Sequence, residues 1–252
     1  MPSRWPEAAV IRAALGIVLP LLVFLGLVLW IGTPGGVAWD RTMLMRVQAH
    51  QTPVLNVVMA VLTNLGSAPV VTGTGLLLGG ELLRFRQVGE GMLVLGGVGG
   101  AGVMGVLLKH VFQRPEVNLG GLSAGQLPPL VESPALPSLR LLFRVVYTFP
   151  SNHTVGITAL WLVAVLLTWS SPWRWPVAGL ALLLVSLVGV SRVYLGAHYP
   201  TDVLAGWALG TAWVVAFAQA MRSSAVQRLY RKIKGLIFRR EGGPQAKDRR
   251  WG

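Results

Sequence analysis

Six apolar stretches follow one another along the chain, at 13–31, 54–79, 88–111, 154–169, 175–190 and 203–221, and only Glu90, Lys109 and His110 bring an ionisable group into them. Most are close to the ~20 residues that an α-helix needs to cross the hydrocarbon of a bilayer. The composition agrees: 53% of the 252 residues are hydrophobic and 12% charged, against about 25% charged in ordinary soluble domains. A soluble fold of this size cannot hide that much apolar surface, whereas lipid can accept it. The pattern predicts an all-α integral membrane protein, a bundle of six transmembrane helices. Gly66-Ser67 and Pro69 interrupt the second stretch, so its first part is expected in the interface and its second part across the membrane. The first stretch is too long for a signal-peptide core, and no clear small-x-small cleavage pattern follows it. It is read as a first span.

The net charge of +13 raises nucleic-acid binding, but the charges sit at the ends of apolar stretches and in the C-terminal tail, as positive-inside bias requires. Nucleic acid is therefore excluded as a partner, and the bilayer takes its place. With the N-terminus inside, the inner segments hold Arg4, Arg12, Arg84, Arg86, Arg174 and ten basic residues from Arg222 to Arg250, 15 of the 22 Lys and Arg. Both termini are expected in the cytoplasm of a plasma-membrane (inner-membrane) protein. The expected division is a membrane domain at 1–222, with its core at 54–221, and a basic cytoplasmic tail at 223–252. That tail reads as a stop-transfer flank, compatible with a surface helix on anionic lipid. The chain has no cysteine, which removes disulfides, thiolate chemistry and cysteine-ligated zinc.

Residues 96–105, GGVGGAGVMG, invite a phosphate-loop reading, but they lack the Lys-Ser/Thr ending and the flanking strand. Small residues at such spacing let membrane helices approach closely, and that structural reading is preferred. The long connection between the third and fourth spans, rich in Pro, Leu and Gly, reads either as a lid that meets lipid or as a connector.

Three polar clusters break the apolar pattern: Lys109-His110 with Arg114-Pro115; Ser151, Asn152 and His153; and Ser191, Arg192, His198 and Asp202. Each residue alone has an ordinary explanation, such as a snorkelling lysine or a structural ion pair. The six-span topology, however, carries all three clusters to the outer leaflet, and ionisable groups at membrane depth are costly and tend to be functional. The inventory suits phosphoryl transfer. Lys109 and Arg192 supply charge for phosphate oxygens, arginine as a planar fork. Ser151 and the N–H groups around Asn152 open a helix, where anions are favoured. Asp202 lies four residues after His198. If the last helix begins early enough the two share a face, so that Asp202 orients one imidazole nitrogen and frees the other as a nucleophile. Pro200 suits a first helical turn, and His153 remains to protonate the leaving oxygen.

These residues resemble the signature of the type 2 phosphatidic acid phosphatase superfamily, which also contains vanadium haloperoxidases: K-x-x-x-x-x-x-R-P, then P-S-G-H, then S-R-x-x-x-x-x-H-x-x-x-D. The third part is complete from Ser191 to Asp202, and the second reads Pro150-Ser151-Asn152-His153, with Asn for Gly. The resemblance spans roughly 54–221. It implies His198 as the nucleophile that becomes phosphohistidine, Asp202 as its orienting partner and His153 as general acid. It implies Lys109, Ser151 and Arg192 as phosphate ligands and no metal; Asn152 is added to them from its place at the start of a helix, and no cofactor is expected. The first part departs: its Arg-Pro positions hold Glu116 and Val117, while Arg114-Pro115 stands two residues earlier. Arg114 is accordingly expected to supply the missing phosphate contact, with Arg140 or Arg144 as alternatives.

The sequence thus leads to a membrane lipid phosphatase that acts on a lipid monophosphate or pyrophosphate at an extracytoplasmic active site. The alternatives are a lipid phosphotransferase of the same chemistry and a non-catalytic lipid-binding or transport relative.

Overall fold

The computed structural model describes residues 7–115, 117 and 147–223, which form eight helices and no strand. They are α1 (Glu7–Ile31), α2 (Pro34–Gln48), α3 (Pro53–Asn64), α4 (Ala68–Arg84), α5 (Val88–Phe112), α6 (Asn152–Thr168), α7 (Arg174–Tyr194) and α8 (Pro200–Arg222). The basic tail, Glu116, Arg140, Arg144 and most of the connection at 116–149 lie outside the described residues, and with them the roles expected there.

Short-range chemistry sets the boundaries. Thr33 and Thr52 are N-caps whose hydroxyls accept from Gly36 N at 3.0 Å and Leu55 N at 3.2 Å, each followed by a proline at the first helical position. A threonine cap with proline next to it satisfies one free N–H and removes another. The second apolar stretch breaks at Leu65–Ser67 into α3 and α4, where the sequence places Gly66-Ser67 and Pro69. Five segments are long and apolar enough to cross a membrane: 14–31, 53–84 taken through that break, 88–112, 174–194 and 200–222. The sixth expected span, α6, has 17 residues. At 1.5 Å per residue it covers about 25 Å, less than the ~30 Å of hydrocarbon. A short α2, to which the sequence analysis gave no role, follows α1 and packs against α1, α7 and α8.

Burial is arranged for lipid. Leu19, Leu29, Val54, Leu77 and Leu182 are more than half exposed, while Asp40, Thr63, Lys109, Ser151, Thr154, Ser191, His198, Thr201 and Asp202 are buried. An exposed apolar belt around a polar interior suits a bilayer. The core between α1, α5, α6, α7 and α8 is built on Phe24, Val94, Val98, Phe149, Val155, Ile157, Val188 and Val214. The glycines of α5 act as the close-packing surface read from the sequence. A Cβ at Gly96 or Gly100 would strike the rings of Phe217 and Trp213 on α8, and Trp213 Nε1 donates to Gly96 O at 3.2 Å. The described N- and C-terminal ends, of α1 and α8, lie together at one end of the bundle, since Gly16 faces Val215 while Phe24 packs on Phe112 and Phe149.

Candidate active site

The C-terminal ends of α5 and α7 meet the N-terminal ends of α6 and α8 at the end of the bundle away from those termini, and this brings the three polar clusters together. Ser151 N donates to Asp202 O at 3.1 Å, tying the second cluster to the third. The approach is close: a Cβ on Gly206 of α8 would collide with Thr154 Oγ1 and stand 2.9 Å from Ser151 O. The first cluster is tied in from the other side. Lys109 Nζ donates to the carbonyls of Tyr147 and Thr148, Thr148 N donates to Arg114 O at 2.9 Å, and Thr148 Oγ1 donates to Pro115 O at 3.3 Å.

The turn from α7 to α8 delivers the histidine of the third cluster. Gly196 has φ of +68°, a conformation that glycine adopts without Cβ strain. It folds the chain so that Ala197 N and His198 N both donate to Arg192 O, at 3.0 and 3.3 Å. Helix α8 starts at Pro200, so His198 stands before the helix and does not share a helical face with Asp202. They meet by capping. Asp202, in the first turn, accepts from Tyr199 N at 3.0 Å through Oδ2, and the same oxygen lies 3.4 Å from His198 Nδ1. That is a close approach without the alignment of a hydrogen bond. With Nδ1 turned to Asp202, Nε2 is the ring nitrogen left for another partner.

His153, Arg192 and Lys109 all lie within electrostatic reach of His198. Burial pushes the His198 imidazole down to about 4, Asp202 pulls it upward, and Arg192 and Lys109 add to the fall. Its resting form at neutral pH is therefore the uncharged one. Arg192 Nη1 donates to Thr63 Oγ1 at 3.0 Å, which fixes one arm of the fork. Arg192 Nε, Ser151 Oγ, Asn152 Oδ1 and His198 Nδ1 are buried without a hydrogen-bond partner among the described residues. The first three, which have no facing group as Nδ1 has in Asp202, are the mark of a place built for a polar ligand. Among the described residues no three His, Asp or Glu side chains gather as a metal set.

Arg114 is placed differently from its sequence expectation. Its Nη1 donates to Thr201 Oγ1 at 2.8 Å and to Asp202 Oδ1 at 2.6 Å, its Nη2 donates to Asp40 Oδ2 at 2.6 Å, and its guanidinium carbon sits 4.4 Å from the Tyr199 ring centre. Burial alone would lower its pKa, but Asp202 and Asp40 more than offset that and raise it. It therefore backs the two carboxylates, with both terminal nitrogens engaged, instead of standing free for the phosphate contact expected of it. Val117, at the family's proline position, packs with Leu44, Val193 and Val203. Asp40, Thr63 and Thr201 belong to none of the three polar clusters visible in the sequence. One signal was available: Asp40 is the one Asp or Glu between Glu7 and Glu81.

The comparisons agree with this architecture. The chain is 28% identical over 163 residues to phosphatidylglycerophosphatase B of Bacillus subtilis, covering 63% of this chain and 71% of that protein. It is 44% identical over 68 residues to an undecaprenyl-diphosphatase of Sulfolobus acidocaldarius, covering 27% of this chain and 30% of that protein. The crystal structure of a transmembrane PAP2-type phosphatidylglycerolphosphate phosphatase from Bacillus subtilis superposes with a TM-score of 0.67 at 25% identity, over 82% of this chain and 96% of that one. The sequence profile of the PAP2 superfamily matches residues 90–225, more than half of the chain and the stretch that holds all three polar clusters. With the sequence profile, the helical architecture and the meeting of the three clusters in accord, this chain belongs to the PAP2 superfamily, in its membrane-embedded branch.

Proposed function

We propose that the chain removes phosphate from a membrane lipid, a monophosphate or a pyrophosphate, through a phosphohistidine formed on His198. The observation that carries this reading is the set of three buried polar atoms without a partner among the described residues, Arg192 Nε, Ser151 Oγ and Asn152 Oδ1, gathered around a histidine that faces an aspartate. The relatives support the substrate class, since their names specify lipid phosphates and a prenyl diphosphate.

In the proposed reaction Lys109, Ser151 and Arg192 hold the phosphate oxygens, with the N–H groups at the start of α6 beside them. His198 Nε2 attacks phosphorus as the bond to the leaving oxygen breaks, the lipid oxygen of a monophosphate or the bridging oxygen of a pyrophosphate, and His153 gives that oxygen its proton. Asp202 stabilises the positive charge that the imidazole gains. Water then attacks phosphorus, passing its proton to His153, and the N–P bond breaks to return His198 and release phosphate. Phosphoryl transfer is mostly positioning and charge stabilisation, which this set supplies without a metal. The site is proposed to face the extracytoplasmic side, with both termini in the cytoplasm, on the strength of the Lys and Arg distribution. Residues 1–222 are proposed as the catalytic membrane domain and 223–252 as its tail.

The test is phosphate release by purified protein in detergent with EDTA, across lipid monophosphates and a prenyl pyrophosphate, with His198→Ala alongside. Release that is abolished in the variant and insensitive to EDTA is expected. Release that survives His198→Ala, or requires a metal, overturns the mechanism. Transfer of phosphate to a second lipid without release identifies the phosphotransferase alternative.

A further inference from the structure

Asp40 belongs to none of the three polar clusters, yet it is fully buried, delivered by α2. A buried carboxylate is costly unless donors meet it. Thr201 N donates to Oδ1 at 3.1 Å, and the Thr201 hydroxyl and Arg114 Nη2 both donate to Oδ2, the latter at 2.6 Å. Arg114 carries the contact on, with Nη1 donating to Asp202 Oδ1 at 2.6 Å. The remaining oxygen of Asp202 is the one that faces His198 Nδ1.

A guanidinium in direct contact with Asp202 has a cost for the chemistry. When phosphorus bonds to Nε2, the imidazole becomes positive, and the charges facing it from α5 and α7 are the cations Lys109 and Arg192. Its negative counterpart is Asp202. At formal charges Arg114 and Asp202 cancel, and Asp40 returns the group to −1. We infer that Asp40 is a positioning residue for the nucleophile: through Arg114 and Thr201 it sets the Asp202 carboxylate toward His198 and keeps the carboxylate–guanidinium group negative. This rests on the reading of His198 as nucleophile, and it gives Arg114 the role of partner to Asp202.

The experiment compares wild type, Asp40→Asn, Arg114→Gln and the double variant as full chains in detergent, following kcat, KM and base-quenched phosphoenzyme on a short-chain lipid phosphate. Partners that orient a metal-bound histidine from behind are worth about 10- to 100-fold, and the same lever acts here on His198. Asp40→Asn is expected to lower kcat by that factor, to slow phosphoenzyme formation, and to leave KM within about twofold. The double variant restores a group charge of −1, so its kcat per folded enzyme is expected to exceed that of Asp40→Asn by several-fold, whereas a merely structural ion pair, in which loss of one partner strands a buried charge, would recover Tm in the double variant and leave kcat per folded enzyme and the rate of phosphoenzyme formation unchanged. Wild-type kcat in Asp40→Asn, a loss confined to KM, or a double variant no better than Asp40→Asn each overturns the inference. If Asp40→Asn does not fold, Asp40→Glu, which keeps the charge, decides: kcat above a tenth of wild type at unchanged KM is expected, and a collapse to the level of His198→Ala overturns. A wild type that forms no phosphoenzyme refutes instead the reading of His198 on which this rests.

Discussion

Thr63 Oγ1, on α3, accepts from Arg192 Nη1 at 3.0 Å. The helix that ends at the Leu65–Ser67 break thereby holds one arm of the arginine fork before a substrate arrives. A hydrogen bond to a charged group contributes about 1.5–3 kcal/mol. Thr63→Val is expected to raise KM about tenfold or more with a smaller change in kcat, and Arg192→Lys, which loses the fork, to be worse. Unchanged steady-state kinetics in Thr63→Val would show that the contact does not orient Arg192.

The two histidines separate on a substrate with a good leaving group. His198→Ala should form no phosphoenzyme on any substrate. His153→Ala should be slow on a lipid monophosphate, whose leaving oxygen needs a proton, and should accumulate phosphoenzyme on an aryl phosphate, whose leaving group does not. Phosphoenzyme in His198→Ala, or equal defects on both substrates in His153→Ala, would reassign the roles.

Depression of the His198 pKa to about 4 fixes the sign of the acid limb. A nucleophile must be neutral, so rate is lost only as pH falls through the folded-state value, below the ~6.5 of a free histidine. After correction for the substrate's own phosphate ionisation, kcat/KM is expected to show no enzyme acid limb near 6.5. Asp202→Asn removes the carboxylate that pulls the value up, and so shifts the limb further down as well as slowing the reaction. A limb at 6.5 in wild type that is unmoved in Asp202→Asn would refute the assignment.

Asn152 stands where the family motif has glycine, and it finds its space at Gly105 of α5: a Cβ there would strike Asn152 Oδ1 and lie 3.3 Å from Asn152 Cγ. Overpacking typically costs 1–3 kcal/mol. Gly105→Ala is expected to lower Tm and activity, and the double variant Gly105→Ala with Asn152→Gly to recover both. Failure of the double to recover would mean that the two positions are not matched in size.

Native cysteine is absent, so membrane sidedness can be read with single introduced thiols. Ala49 is exposed in the link between α2 and α3 at the active-site end, and Ser170 is exposed between α6 and α7 at the other. In intact cells an impermeant thiol reagent is expected to label Ala49→Cys but not Ser170→Cys. The reverse pattern would put the chemistry in the cytoplasm.

What the sequence made legible were the features written over short distances. The apolar stretches, the break near Gly66, and the Ser191–Asp202 spacing lie within single helices or one turn, so their residue order carries their geometry. Asp40 and Thr63 reach the site across 161 and 129 positions of chain, and no local spacing encodes such contacts. Arg114 shows the same limit. Its position near the first motif suggested a phosphate ligand, but its orientation depends on a carboxylate from α2 that only the fold brings near. The shared helical face expected for His198 and Asp202 gave way to a cap because Pro200 starts the helix after the histidine.

Asp202 has two employments at once: its Oδ2 takes the N–H of Tyr199 at the entrance to α8, and the same carboxylate faces His198. A descendant that abandoned the chemistry could shed His198 at little structural cost, but it would still need an acceptor at position 202 to begin its last helix and to meet Arg114. In a lineage drifting toward a lipid carrier, the aspartate would therefore outlive the histidine. Its survival would record the fold's dependence on it, and only an intact histidine beside it would testify to a working enzyme.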